Sequence, residues 1–228
     1  MIRTMHRRHF ILSATIGLAV GVCAPAALAQ AAKAVPAAAK PRSQPVILVL
    51  GDSLSAEYGL ARGTGWVALL EKQLSQDKLT ATIVNASVSG ETTSGGRSRL
   101  PALLAQHKPS HVVIELGGND ALRGLPLKSV EENLTFMAQA AQKAGAKVLL
   151  VGMQMPPNYG ADYANKFAGV FTTVAQTQKT AVVPFFLKGV ADGADPTRLF
   201  QPDRIHPRAE AHPQMLANVW PELKKLLR

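Results

Sequence analysis

The chain of 228 residues is 47% hydrophobic and 18% charged, a balance that suits one packed domain and argues against disorder over most of its length. Its formal charge of +10 invites nucleic acid as a partner, but residues 1–45 hold six of the 25 Lys and Arg and none of the 15 Asp and Glu, so the remainder carries only +4. That remainder has no Lys/Arg cluster with interleaved aromatics, and nucleic acid is not the expected partner.

The N-terminus reads as an export signal. Arg3, Arg7 and Arg8 precede an apolar run from Phe10 to Val22, and Ala27-Leu28-Ala29 closes it, the three-part layout of a secretory signal peptide over residues 1–29. Pro25 follows the run with no stop-transfer charges behind it, so no stable membrane anchor is expected once the signal is removed. Arg7-Arg8-His9-Phe10-Ile11 also resembles a twin-arginine signal, which would export an already folded protein. Cys23, the sole cysteine, lies inside the signal behind Val22, a poor neighbour for lipid attachment. The exported chain, periplasmic or secreted, is therefore expected to hold no disulfide. Residues 30–45, rich in Ala and Pro, read as a flexible leader, and a single folded domain over 46–228, acting as a monomer, is expected to follow.

Val46–Leu50 opens the domain as a strand apolar on both faces. Gly51-Asp52-Ser53-Leu54-Ser55 follows, a turn in which Ser53 can be a nucleophile or simply the cap of the next helix. Trp66, Leu69, Leu70 and Leu74 then fall at helical spacing. A second strand, Thr82–Ala86, leads into Ser87-Val88-Ser89-Gly90-Glu91-Thr92-Thr93, and a third, His111–Leu116, leads into Gly117-Gly118-Asn119-Asp120. Acyl transfer needs donors aimed at the negative oxygen of a tetrahedral intermediate, and the N–H groups of Gly90 and Ser53 with the Asn119 amide can supply them. Read blandly, each segment is a strand-to-helix turn. Val130, Leu134, Met137 and Ala141 mark another helix, and Lys147–Val151 and Ala181–Phe186 complete a set of five strands. Continuous apolarity in the strands predicts a buried parallel sheet, and their alternation with helices predicts a three-layer α/β sandwich.

Near the C-terminus, Asp203-Arg204-Ile205-His206 sets a carboxylate three residues before an imidazole, within reach of one turn. A serine is too weak an acid to attack unaided, so His206 would take its proton while Asp203 holds the ring's tautomer. His107 and His111 flank a strand start with no Asp at that spacing, and His212 has only Glu210 nearby, which leaves His206 the better base. The last helix carries Leu216, Val219, Leu223 and Leu227, with Pro213 in its first turn and Pro221 expected to kink it.

Gly51-Asp52-Ser53-Leu54, the Gly90 loop, Gly117-Gly118-Asn119-Asp120 and Asp203-x-x-His206 occur in the order found in the SGNH, or GDSL, hydrolase family, which the chain resembles from Val46 onward. Leu100-Pro101-Ala102-Leu103-Leu104, the run from Glu115 to Gly124, and Pro157-Asn158-Tyr159-Gly160 make it most similar to the bacterial periplasmic thioesterase/lysophospholipase and arylesterase branch. The resemblance implies a flavodoxin-like sheet, a triad of Ser53, His206 and Asp203, and an oxyanion hole of Ser53, Gly90 and Asn119. Ordinary α/β-hydrolases instead present serine in Gly-x-Ser-x-Gly, absent from this chain.

Two apolar loops, 122–127 and 153–159, can line an acyl groove through Leu122, Met155 and Tyr159, or can simply pack on their own helices. A small acyl ester or thioester is the expected substrate. A carbohydrate O-acetylesterase and a non-catalytic acyl-binding protein remain as alternatives. No cofactor or metal is expected, since there is no His-Glu-x-x-His and Gly63-Thr64-Gly65 does not follow a strand.

Overall fold

A computed structural model describes residues 44–228, so the expected signal and nearly all of the leader lie outside the described residues. The strands β1 (Val46–Gly51), β2 (Thr82–Asn85), β3 (His111–Glu115), β4 (Lys147–Val151) and β5 (Ala181–Val183) pair in parallel in the order β2-β1-β3-β4-β5. They alternate with helices α1 (Trp66–Gln76), α2 (Thr93–His107), the short α3 (Gly118–Leu122), α4 (Leu127–Lys143), α5 (Ala161–Gln178) and α6 (His212–Leu227).

Side chains alternate across a strand, and this period of two divides the core between the two faces of the sheet. Leu48, Leu50, Val112, Ile114, Val148 and Leu150 face α2, α4 and α5, where Leu100, Leu134, Met137, Phe167 and Phe171 are fully buried. Ile47, Val49, Val113, Leu149 and Val183 face α1 and α6, meeting Trp66, Leu70, Met215, Val219 and Leu223. Two layers of helix thus cover a sheet whose central strands carry no polar face, as the apolar runs predict.

The edge strands depart from that pattern. In β2, Thr82 and Asn85 are exposed and Ile83 and Val84 only half-buried, because the strand has a neighbour on one side alone. In β5 the strand ends at Val183, short of the expected Phe186: Pro184 has no N–H to donate, although the Phe186 N–H still reaches the Gly152 carbonyl at 2.8 Å. Pro213 sits in the first turn of α6, and the helix passes through Pro221 as one element.

In this strand order the connections leaving β1 and β3 turn to opposite sides, which opens a crevice at the carboxyl ends of those two neighbours. The Ser53 turn follows β1 and the Asn119 loop follows β3, so topology alone brings both to the crevice. Among the described residues no helix is long and apolar enough to cross a membrane.

Candidate active site

The turn after β1 is tight. The Asp52 carbonyl accepts from the N–H groups of Ser55 (3.2 Å) and Ala56 (2.9 Å), and the Ser53 carbonyl from Tyr58 (3.3 Å). This winding leaves Ser53 buried apart from 7% of its surface, with its hydroxyl 2.9 Å from His206 Nε2. His206 Nδ1 lies 2.7 Å from Asp203 Oδ2.

The segment carrying Asp203 and His206 is a closed turn that could not be read from spacing alone. Phe200 bridges Pro207, the Gln201 N–H donates to the His206 carbonyl, and Arg204 takes a left-handed φ of 59° between the two side chains. Asp203 Oδ1 accepts from the N–H groups of both Ile205 and His206, each at 3.0 Å. Partial burial pushes the Asp203 carboxyl up, but the His206 N–H, the His206 ring and the Ile205 N–H outweigh it and hold the carboxyl at about 2. Asp203 is therefore an anion throughout the neutral range. Tyr58 lies against the His206 ring, with centroids 4.3 Å apart and planes tilted 36°. Gln201 ties the two turns together by donating from its amide to the Tyr58 carbonyl at 3.0 Å.

On the β3 side, Gly117 adopts φ 119°, a region that side chains rarely enter, and a Cβ there would meet Phe171 at 3.1 Å. This glycine lets the chain turn at once into α3, where the Asn119 amide donates to Asp52 Oδ2 at 3.0 Å. Gly90 also needs its freedom, at φ 77°, and its carbonyl accepts from Arg123 Nη2 at 2.9 Å. Among the described residues neither the Ser53 N–H nor the Gly90 N–H donates a hydrogen bond, so both donors stay uncommitted.

Under these loops lie two buried polar networks that sequence reasoning did not find. In one, Asp120 accepts from the Thr93 N–H (2.8 Å) and hydroxyl (2.6 Å), while Asn133 donates to the Thr93 hydroxyl oxygen and accepts from Arg97. This clamps the start of α2 to α3. In the other, the Glu115 carboxylate takes the Ser55 hydroxyl at 2.7 Å and the Asp52 N–H at 3.3 Å, and Trp66 Nε1 donates to Ser55 Oγ at 3.0 Å. Burial pushes Asp52 up to about 6, against the lowering effects of the Leu54 N–H, the His206 charge and the Asn119 amide. Burial together with the nearby Asp52 charge pushes Glu115 well above the ordinary carboxylate range. The legible signal was a carboxylate closing an otherwise apolar strand.

The competing histidines serve the scaffold. His212 is buried and its Nδ1 accepts the Trp66 N–H at 3.0 Å, capping α1, and burial pushes its pKa down. His111 is held between Ser110 and the Leu226 carbonyl, with burial again lowering its pKa. His107 closes α2. Of the expected acyl-groove residues, Leu122 and Tyr159 are exposed, whereas Met155 is buried within the core that faces α4 and α5. Among the described residues the exposed large hydrophobics are Tyr58, Val88, Leu122, Leu125, Tyr159 and Ile205. All lie on segments that follow carboxyl ends of strands. A cavity of about 330 Å³ between Gly189 and Leu199 contains none of the residues described above.

Residues 49–213 match the model of the GDSL-like lipase/acylhydrolase family. The chain is 54% identical over 181 residues to Esterase TesA of Pseudomonas aeruginosa, a span covering 79% of this chain and 89% of that protein. It is 41% identical over 167 residues to Thioesterase 1/protease 1/lysophospholipase L1 of Escherichia coli, covering 73% and 77% of the two chains. The crystal structure of the psychrotrophic esterase EstA from Pseudoalteromonas sp., inhibited by monoethylphosphonate, superimposes with a TM-score of 0.74 at 40% identity, covering 81% of this chain and 99% of EstA.

Proposed function

The chain belongs to the GDSL-like lipase/acylhydrolase family and is a carboxylic ester hydrolase; from that premise we propose that Ser53 is its nucleophile, His206 its general base and Asp203 the carboxylate that orients His206. The observation that carries this reading is the continuous hydrogen-bonded line from Ser53 Oγ through His206 to Asp203, at 2.9 and 2.7 Å. Asp203 accepts the Nδ1 proton, which leaves the Nε2 lone pair facing the serine hydroxyl.

Ser53 Oγ attacks the substrate carbonyl as its proton passes to His206 Nε2, forming a tetrahedral oxyanion. The free N–H groups of Ser53 and Gly90 and the second N–H of the Asn119 amide receive that charge. His206 then protonates the departing alcohol or thiol, and an acyl-serine remains. Water, deprotonated by His206, releases the acid and restores the serine. Asp203 stays ionised through both halves, so the imidazolium always has its counter-charge.

The substrates are acyl esters and thioesters of small molecules, admitted along the exposed apolar rim that includes Leu122 and Tyr159. Esterase and thioesterase among the names of the relatives support this choice. The basic, apolar and Ala-x-Ala layout of residues 1–29 supports action outside the cytoplasm after signal removal.

Ser53→Ala is expected to lower hydrolysis of short p-nitrophenyl esters by at least about 10³-fold and to abolish fluorophosphonate labelling, while the unfolding midpoint stays near that of the parent. Parent-level turnover by a folded Ser53→Ala protein would remove Ser53 from the reaction.

A further inference from the structure

Asp52 and Glu115 are each 2% exposed and stand immediately beneath the nucleophile, yet the triad and the oxyanion donors use neither as a reacting group. Their meeting is set by strand register. Gly51, the last residue of β1, pairs with Glu115, the last of β3. A Cβ at position 51 would lie 2.8 Å from Glu115 Oε2 and 2.7 Å from Ser55 Oγ, so the missing side chain of glycine is the space in which the Glu115 carboxyl and the Ser55 hydroxyl sit.

The donor count around the pair is unambiguous. Asp52 Oδ1 accepts from the Leu54 N–H at 3.0 Å and Oδ2 from the Asn119 amide at 3.0 Å, so both of its oxygens are used as acceptors. Trp66 Nε1 can only donate, so Ser55 must spend its own proton on Glu115 Oε2, which also takes the Asp52 N–H. The two carboxyls are thus buried side by side, with the Asp52 N–H against Glu115 Oε2 at 3.3 Å. Two adjacent negative charges in so dry a place would each lack compensation. The other charged or titratable groups acting on the pair are His206 and Asp120.

We propose, resting on the Ser53 reading above, that Asp52 and Glu115 are positioning residues: a carboxyl pair that holds one proton on Glu115, leaving anionic Asp52 to fix the Asn119 amide and the backbone of the Ser53 turn. Asp52 aims one Asn119 N–H at itself and so directs the second toward the oxyanion. Through the Leu54 N–H it also pins the peptide that follows Ser53. Its charge faces His206 as that ring becomes an imidazolium. Glu115, neutral and bonded to the Ser55 hydroxyl, supports the turn without adding a second charge. Burial and the Asp52 charge, which push Glu115 upward, favour this distribution of the proton.

Three measurements on the full-length enzyme test the pair. In Asp52→Asn the amide must place an NH₂ against either the Leu54 N–H or the Asn119 amide. The expected result is a kcat lower by about 10²-fold with KM within about threefold of the parent. Below pH 6 the parent is expected to lose additional kcat/KM as Asp52 takes up a proton, and the acid limb of Asp52→Asn is expected to be the less steep of the two. Glu115→Gln copies the neutral acid but cannot ionise. An unfolded Glu115 ionises above its ordinary value while the folded one keeps its proton, so stability of the parent falls as pH rises and that of Glu115→Gln falls less. The difference in unfolding midpoint between the two is expected to widen as pH rises above the ordinary glutamate value. Unchanged kcat in Asp52→Asn, acid limbs of equal steepness in the two proteins, or midpoints that stay parallel as pH rises would each overturn the proposal. An inactive parent with a widening midpoint difference would instead sink the Ser53 reading and leave the shared proton standing.

Discussion

Asp203 and Asp52 flank the same serine, one through the His206 ring and the other through the peptide that joins it to Ser53, yet their surroundings differ in kind. Asp203 has a side chain 37% exposed and takes two backbone N–H groups besides the His206 ring, and it is held at about 2. Asp52 accepts two N–H donors as well, but it is buried beside a second carboxyl and is pushed up to about 6. Similar donor numbers thus give opposite shifts, and water access decides between them: solvation lets Asp203 keep its charge cheaply, while desolvation opposes the charge on Asp52. One carboxylate serves as a permanent counter-charge, and the other holds its charge only near and above neutrality.

The largest expected effect comes from breaking the solvated side of this comparison. In Asp203→Asn the side-chain oxygen is required by the N–H groups of Ile205 and His206, so the NH₂ turns to His206 Nδ1. The ring proton must then move to Nε2, where it faces Ser53 and removes the base. Steady-state assays on p-nitrophenyl esters should show kcat lower by about 10³–10⁴-fold in a protein that folds normally. A loss under tenfold would mean that the tautomer is set elsewhere.

A smaller effect tests what else holds the His206 ring. Tyr58 covers one face of the imidazole and is itself tied to the His206 turn by Gln201. An aromatic contact of this kind contributes about 0.5–1.5 kcal/mol, and more when the partner ring is cationic. Tyr58→Leu keeps an apolar cover and loses the ring, so kcat/KM should fall by about three- to tenfold. An unchanged kcat/KM would reduce Tyr58 to a wall of the substrate site.

Ser53, Gly90 and Asn119 were legible in the sequence because each lies in a short polar or glycine-rich loop after an apolar strand, where chemistry stands out against the pattern of the core, and Asp203 and His206 because a carboxylate stands three residues before an imidazole. The sheet was legible for the same reason, save at its edges, where β2 is half-exposed and Pro184 cuts β5 short. Glu115, Ser55 and Trp66 were not, because their meeting depends on register between β1 and β3 and on the packing of α1. Glu115 and Asp52 are 63 residues apart in the chain, and no local spacing expresses that contact. Met155 failed to stand out as a core residue because a methionine before two prolines reads as loop, while the fold turns it inward.

The smallest expected effect is on stability, where the two aspartates should act with opposite sign. Asp203 is lowered in the folded protein from 3.8 to about 2, so its contribution is present above the unfolded value and is lost as pH falls toward 2. Asp52 is raised from 3.8 to about 6, so folding takes up a proton between those values and its contribution is lost as pH rises through 6. Together they favour a maximum in the unfolding midpoint near pH 4. Asp203→Asn should flatten the acidic side of that maximum and leave the other side, and Asp52→Asn should do the reverse. Since Asp203 is partly solvated, its limb should be the shallower and should shrink further in high salt, whereas the limb of the buried Asp52 should not. Thermal melts from pH 2 to pH 7 at low and high ionic strength would separate the two, and limbs of equal salt sensitivity would show that burial does not distinguish these carboxylates.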